Sequence, residues 1–201
     1  LHNYSVAIAV ETRAEDGMPI SLETVWKSHE ASGMPDSSSI ARAADSLAGL
    51  LLQLREAPIT EPYTGPAIIR RGASGVFFHE ALGHRLEGHR TRLESEGHTF
   101  KHKMNQRIIP DFLDVFDDPT QKTTAGTELY GRYQYDDEGI PAQRTPLVDK
   151  GVLSGFLMCR TPIKDIKSSN GHGRGDMWSE AVSRMGSLFV TTSTPVSYDS
   201  L

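Results

Sequence analysis

Apolar and polar positions follow two different rhythms in the first third of the chain. They alternate over residues 4–12 and again over 20–26, with a turn signal at 15–17 between them, which predicts a β-hairpin. Apolar residues then recur at helical spacing from Ile40 to Leu54. Because serines that can cap a helix precede this run at 37–39, we predict an amphipathic helix that ends near 57–58.

A break in periodicity follows this helix. Residues 58–66 contain three prolines and a glycine and show no apolar repeat, so we expect a linker or domain boundary there.

Shorter patterns fill the rest of the chain. They predict strands at 67–70, 107–116, 129–135 and 186–191, a turn at 72–75, a helix at 76–87 and a hairpin over 147–157. The polar stretch 88–106 is expected to be partly loop, and the glycine-rich stretch 168–176 is expected to be mobile. Helices and strands mix without a regular βαβ order, so the predicted class is α+β.

Composition narrows the setting of the protein. With 201 residues and 37% hydrophobic content, the chain can bury a core, and no run approaches the roughly 20 apolar residues of a membrane span. The single cysteine, Cys159, excludes an internal disulfide framework, and the chain opens without a signal-peptide pattern, so we expect a cytoplasmic protein. The net charge of −5 argues against nucleic acid as a general partner.

Chemistry is concentrated in the predicted helix 76–87. His79, Glu80 and His84 place two imidazoles and one carboxylate within six residues. Neutral imidazole is a favoured zinc ligand, and a neighbouring Glu can take a proton from an attacking water. These residues therefore predict a zinc-dependent peptidase site.

The spacing of the two histidines requires a distorted helix. Five positions separate them, which is about 140° around an ideal α-helix, whereas the common zinc-protease spacing of four gives about 40°. A π-type turn would restore a common face, and Gly83 lowers the cost of such a turn. We therefore predict a widened or broken helix over 81–84.

Longer segments carry a resemblance to a known family. Residues 75–90 (GVFFHEALGHRLEGHR), 135–157, 169–174 (SNGHGR) and 183–190 resemble the TldD/PmbA family, whose TldD-type members carry His-Glu-x-x-x-His. The resemblance implies that 1–60 form the C-terminal part of an α/β N-terminal domain. Residues 61–201 would then be part of a strand-rich metallopeptidase domain that contains the motif helix.

The same resemblance implies roles and partners. His79 and His84 would bind Zn²⁺ and Glu80 would act as general base in hydrolysis of extended or unfolded peptides, antibiotic precursors among them. A homodimer, or a heterodimer with a PmbA-type subunit, is implied. The family's third ligand is a cysteine downstream of everything in this chain, so these 201 residues are expected to hold zinc poorly; Cys159 and His89 remain alternatives.

Other sequence features have two readings each. Gly171, His172 and Arg174 are candidates for binding substrate with backbone amides and a guanidinium. The acids 136–138 could bind a hard cation or form a solvated turn. The alternative function is that of a noncatalytic interaction or regulatory subunit, of the kind labelled modulator of DNA gyrase, with an incomplete metal site.

Overall fold

The chain divides into two compact units. The computed structural model describes residues 3–92, 98–176 and 178–200. The units are Leu1–Pro66 and Ala67–Leu201, and the predicted linker 58–66 contains no helix or strand. The class is mixed α and β, as predicted, with few helices and several antiparallel sheets. The assignment of 1–60 to the end of an N-terminal domain stays a prediction.

The first unit is built on the predicted hairpin. Strand β1 (Tyr4–Arg13) pairs antiparallel with β2 (Pro19–Ser28) along its whole length, so the start of β1 lies opposite the end of β2. The connecting turn includes Gly17 at φ 88°, a left-handed conformation that glycine adopts without strain. Half-buried and exposed side chains alternate along β1, which confirms the alternation read from the sequence.

One long helix completes this unit. Helix α1 (Ser37–Glu56) packs against β1 and β2 and follows a short 3₁₀ turn, Ala31–Gly33. Its N-cap is Asp36 rather than one of the predicted serines, because the Asp36 carboxylate accepts a 2.7 Å hydrogen bond from the backbone N–H of Ser39. Among the described residues, no helix has both the length and the apolar character of a membrane span.

The second unit starts with the motif helix. Helix α2 (Gly72–Phe78) continues as a π-helical turn, His79–Gly83, and then as two 3₁₀ turns, His84–Leu86 and Gly88–Arg92. The strand predicted at 67–70 is wrong, since these residues pair with no strand among those described. The turn predicted at 72–75 is also wrong, because Ser74 donates to the Arg71 carbonyl oxygen and helps to begin the helix.

Short strands make up the remainder. They are β3 (Leu113–Asp117), β4 (Thr123–Thr124), β5 (Thr127–Glu128), β6 (Thr145–Asp149), β7 (Val152–Leu153), β8 (Gly173–Arg174), β9 (Val182–Ser183) and β10 (Leu188–Thr192). The main sheet is antiparallel in the order β10-β3-β6-β7, while β4-β5 and β8-β9 form two small sheets. A last 3₁₀ turn, Tyr198–Ser200, follows.

The strand predictions were correct where a tight turn, or a neighbouring strand in the middle of the sheet, fixes the pairing. The hairpin predicted over 147–157 is present, turning at Lys150 and Gly151 with φ 45° and 78°. The closing strand is present as β10, but the strand predicted over 107–116 is regular only from Leu113. The strand predicted over 129–135 is wrong: the Tyr133 backbone N–H bonds to the Pro119 carbonyl oxygen instead of a ladder partner.

The core of the second unit anchors the motif helix. Leu82 of the π turn and Leu86 of the following 3₁₀ turn belong to the same buried cluster as Val115 of β3 and Leu147 of β6. Leu86 and Leu147 are completely buried. Because Leu82 and Leu86 flank His84, the hydrophobic core holds the backbone that presents this histidine.

Candidate metal centre

Three side chains of the motif converge at the surface of the second unit. The ligand atoms of His79, Glu80 and His84 all lie within 4.8 Å of one another. Each histidine Nε2 lies 4.0 Å from one oxygen of the Glu80 carboxylate, and the two imidazole rings meet nearly edge to face at 4.5 Å. The side chains of His79, Glu80 and His84 are 48%, 65% and 29% exposed, so water and solutes can reach the cluster.

The π turn is what brings the histidines together. The backbone N–H of His84 donates to the carbonyl oxygen of His79, five residues earlier, which is the hydrogen bond of a π-helix. The widened helix predicted over 81–84 is therefore confirmed, although it begins at His79. It brings onto one face two residues that an α-helix would separate by about 140°.

Gly83 serves this turn for a different reason from the one expected. Its backbone, at φ −53° and ψ −58°, is an ordinary right-handed conformation that any residue adopts. A Cβ at this position would overlap the sulfur of Met185 and would lie 3.3 Å from Leu188 Cδ2. The glycine thus leaves room for the Met185 side chain, which would have to shift to admit a Cβ, and it does not serve backbone freedom.

Sequence reasoning missed Glu87, which is completely buried behind His84. Its Oε1 lies 3.1 Å from His84 Nδ1, and its Oε2 accepts hydrogen bonds from Arg90 Nε at 2.7 Å and Arg184 Nη1 at 3.3 Å. The spacing of His84, Glu87 and Arg90 gave a local signal. Arg184, however, is 97 residues from Glu87, so only the tertiary structure shows this environment.

The backbone around Glu87 is fixed to a neighbouring segment. Leu157 donates its N–H to the Leu86 carbonyl oxygen and accepts from the Gly88 N–H, both at 2.9 Å. A Cβ on Gly88 would lie 2.6 Å from Met158 Sδ and 2.8 Å from the Leu157 carbonyl oxygen, so only glycine allows this approach. These contacts hold the Glu87 side chain in the interior.

The donor set fits a zinc ion. Zinc accepts imidazole nitrogen and carboxylate oxygen, and donors at about 2.1 Å in a tetrahedral site lie about 3.4 Å apart. The ligand atoms of His79 and His84 lie within 4.8 Å of each other, so their side chains would have to rotate toward a common ion. Within the described parts of the chain, neither Cys159 nor His89 belongs to this group, and Cys159 is buried with its Sγ 3.9 Å from the Thr161 carbonyl oxygen.

A groove runs from the cluster along the main sheet. It has a volume of about 510 Å³, and His79 is one of its lining residues. Gly75 and Phe78 of the motif helix form one side, and Leu188 and Val190 of β10 form the other. Leu113 of β3, which pairs with Thr192 of β10, also lines the groove, so the groove lies over one face of the sheet.

The glycine-rich segment departs from its predicted role. His172 is completely buried, with Nε2 3.1 Å from Asp117 Oδ1 and Nδ1 2.9 Å from the Asn170 carbonyl oxygen. Gly171 is buried too, and its carbonyl oxygen accepts from the Tyr133 hydroxyl at 2.8 Å. The expectation of a mobile, substrate-lining loop is therefore wrong for Gly171 and His172. The Gly171 carbonyl oxygen and the His172 imidazole are both engaged in hydrogen bonds inside the protein.

Arg174 lies at the surface end of this segment. Its guanidinium donates to Asp137 Oδ2 at 3.0 Å and stacks on the Tyr133 ring at 4.4 Å. Burial raises the pKa of Tyr133, and the nearby Asp117 carboxylate adds to this effect. A substrate role for Arg174 stays a prediction.

The acids 136–138 form the predicted turn, closed by a 3.1 Å hydrogen bond from the Gly139 N–H to the Asp136 carbonyl oxygen, but only Asp137 is exposed to solvent. Asp136 is buried and accepts from the backbone N–H groups of Ile140 and Gly173 at 2.8 and 2.9 Å. Burial opposes ionisation of Asp137, but the Gly175 N–H and the Arg174 guanidinium outweigh it and lower the pKa of Asp137. Glu138 accepts from the Arg160 backbone N–H. All three carboxylates thus join loops together.

Comparisons with known proteins place this site in context. Residues 62–201 match the family described as the PmbA/TldA metallopeptidase C-terminal domain. A metalloprotease of Methanocaldococcus jannaschii is 30% identical over 118 residues, which is 58% of this chain and 25% of that protein. A zinc metalloprotease TldD homolog of Saccharolobus solfataricus is 32% identical over 95 residues, covering 47% of this chain and 20% of that protein. The chain thus spans about a quarter of the curated relatives it matches.

Solved structures share the fold at low sequence identity. TldE from Thermococcus kodakarensis aligns with a TM-score of 0.57 and 16% identity, over 96% of this chain and 41% of that one. A Bacteroides thetaiotaomicron protein described as a modulator of DNA gyrase aligns with a TM-score of 0.57 and 17% identity, over 95% of this chain and 39% of that one. The family match covers the motif helix, the main sheet and the buried glycine-rich segment, and the chain therefore belongs to the TldD/PmbA family of metallopeptidases.

Proposed function

We propose that this chain carries the zinc-dependent peptide-hydrolysis site of a TldD-type peptidase. His79 and His84 bind the metal and Glu80 is the general base. The observation that carries the proposal is the π turn, which gathers two imidazoles and a carboxylate within 4.8 Å on an exposed face. The relatives named metalloproteases support it.

The residues of the chain divide the work of hydrolysis. When bound, zinc would polarise the peptide carbonyl and lower the pKa of the attacking water. Glu80, with an oxygen 4.0 Å from each histidine Nε2, accepts the proton of that water. The same carboxyl group then passes the proton to the departing amine nitrogen, which completes cleavage of the C–N bond.

The groove beside His79 supports a substrate in extended form. A strand-like peptide is narrow enough to lie in this open groove between α2 and the sheet, with one end at His79. We therefore propose extended or unfolded peptides as the substrate class.

The complete centre needs a further ligand. A catalytic zinc is held by three protein ligands, and the described residues supply two histidines beside the base. We propose that the natural protein supplies a cysteine from sequence after residue 201, and that it works as a dimer with itself or with a PmbA-type subunit.

The role of Glu80 is tested by Glu80→Gln in the full-length natural protein. We expect about one zinc per chain to remain bound while peptide hydrolysis falls at least about 100-fold, because the amide cannot accept the proton. Glu180→Gln, an exposed glutamate of the same unit, is the matched control and should change neither. Hydrolysis that survives in Glu80→Gln would refute the assigned role, and loss of zinc would show that Glu80 is a ligand.

A noncatalytic regulatory subunit is the second candidate. The description of one solved relative as a modulator of DNA gyrase favours it, together with the two-histidine donor set of the described residues. This candidate requires that wild-type protein binds little zinc and that a partner-dependent effect persists in His79→Ala. Tight zinc binding that His79→Ala abolishes would exclude it.

A further inference from the structure

One oxygen of the buried Glu87 carboxylate depends on His84. Glu87 Oε1 has no hydrogen bond within the described part of the chain, and the nearest possible donor is His84 Nδ1, 3.1 Å away. A carboxylate oxygen accepts but cannot donate, and leaving it buried without a donor costs free energy. The imidazole of His84 therefore has to present an N–H at Nδ1.

The other oxygen of Glu87, Oε2, is held by two positively charged side chains. Arg90 Nε donates to Glu87 Oε2 at 2.7 Å, and Arg184 Nη1 lies 3.3 Å from the same oxygen. Two guanidinium groups compensate the buried negative charge and hold the plane of the carboxylate. Glu87 is thus a rigid acceptor behind His84.

Arg90 also approaches the histidine, and this contact opposes the effect of Glu87 on Nδ1. Its Nη2 lies 3.4 Å from His84 Nδ1 and would favour an unprotonated Nδ1. The carboxylate oxygen is closer, at 3.1 Å, and the 2.7 Å bond to Glu87 Oε2 already orients the guanidinium. The Arg90 contact meets hydrogen-bond geometry, whereas the Glu87 contact does not. A buried carboxylate oxygen without a donor nevertheless costs more free energy than the loss of this long contact, so the acceptor prevails at Nδ1.

We infer that Glu87 is a positioning residue, which holds His84 as the Nδ1-protonated tautomer with the Nε2 lone pair directed at Glu80 and His79. Nε2 is the atom that faces the cluster, 4.0 Å from Glu80 Oε2. Histidine ligands in metal sites commonly donate their second ring N–H to a carboxylate, which fixes orientation and raises basicity. The consequence for metal affinity rests on the proposed function, whereas the tautomer does not.

The tautomer is tested first in the metal-free wild-type protein. ¹⁵N NMR of histidine-labelled protein, at a pH where the imidazoles are neutral, separates Nδ1-protonated from Nε2-protonated rings. We expect His84 to be protonated at Nδ1. A His84 protonated at Nε2 would overturn the inference, whereas wild-type protein that binds no zinc would instead overturn the proposed function.

Glu87→Gln tests the effect on the metal. The amide must turn its NH₂ group either toward the two guanidinium groups or toward His84 Nδ1, so the tautomer preference should be lost. Zinc affinity should then fall about 10- to 100-fold. A folded Glu87→Gln protein that keeps wild-type zinc affinity would refute the positioning role.

A matched control separates positioning from stability. Asp117→Asn also removes a completely buried carboxylate that contacts a histidine, but that histidine is His172. It should lower the unfolding temperature and alter the His172 signals, while the His84 tautomer and zinc affinity stay unchanged. If Glu87→Gln does not fold, Glu87→Asp keeps the negative charge beside the two arginines but shortens the side chain and withdraws its carboxylate from Nδ1, and it should weaken zinc binding in the same direction.

Discussion

Gly83 sits where the motif helix passes closest to the segment that precedes β10. We expect Gly83→Ala to lower the free energy of unfolding by about 1–2 kcal/mol, because the new methyl group overlaps the Met185 sulfur. The intrinsic helix preference of alanine offsets only part of this loss. Urea unfolding measures the change.

Gly75, in the same helix, is the matched control. An added Cβ meets nothing within 4 Å there, so Gly75→Ala should be stabilising by about 0.5–1 kcal/mol. Met185→Ala should relieve the Gly83→Ala penalty, giving a coupling of about 0.5–3 kcal/mol in a double-mutant cycle. Equal effects of the two alanines would show that close packing at Gly83 is unimportant.

Residue-level prediction succeeded where the information is local. The spacing of His79 and His84 was enough to predict the widened helix, because five-residue spacing can share a face only in a π turn. The spacing could not reveal Glu87, whose burial depends on Arg184 and Leu157, far along the chain. The same reason explains the error at His172, whose partner Asp117 is 55 residues away.

At the scale of elements, the start of α1 depends on one titratable group. The Asp36 side chain accepts from the Ser39 side chain and backbone N–H, and these hydrogen bonds lower the pKa of Asp36 from its usual value. A carboxyl group with a depressed folded-state pKa stabilises the fold above its unfolded pKa, and this contribution is lost as the pH falls through the folded value.

The two variants Asp36→Ala and Asp36→Asn separate the cap from its charge. Asp36→Ala should lower the thermal midpoint at neutral pH, since the Ser39 N–H loses its acceptor. Asp36→Asn should retain most of the stabilisation by the cap and should remove the part of this stabilisation that is lost at low pH. Circular dichroism melts at pH 6 and pH 2.5 measure both. A wild-type melt that loses no more between these pH values than Asp36→Asn would contradict the titration.

Helices and strands were predictable where residues close to them in sequence determine where they end and which strand they pair with. The hairpin β1-β2 and the turn between β6 and β7 carry glycines at positive φ, and α1 has a full apolar repeat. Alternation at 67–70 and 129–135 resembled a strand equally well, but a strand also needs a neighbour, which local sequence does not specify. The start of α2 was missed because two glycines in its first turn resemble a loop.

At the scale of the whole molecule, metal binding and stability are linked. A ligand that binds only the folded state stabilises it by about 2.7 kcal/mol at 100 times its dissociation constant. We therefore expect zinc to raise the thermal midpoint of the full-length protein, and His79→Ala to abolish that shift. Differential scanning calorimetry measures it.

His102→Ala is the control for this measurement. His102 is exposed and lies outside the donor cluster of the described residues, so its loss should leave the zinc-induced shift intact. A zinc-induced shift that persists in His79→Ala would mean that zinc binds somewhere other than the motif, and loss of the shift in His102→Ala alone would place zinc at His102.

The π turn can also be understood as an insertion. A π turn holds one residue more than the α-helical turn it replaces and leaves the register of the flanking helix unchanged. Deleting Ala81 would shorten the histidine spacing to the four residues of the commonest zinc peptidases, which an ordinary α-helical turn brings to one face. The two kinds of motif then differ by one inserted residue, which the π turn accommodates within a single helical turn.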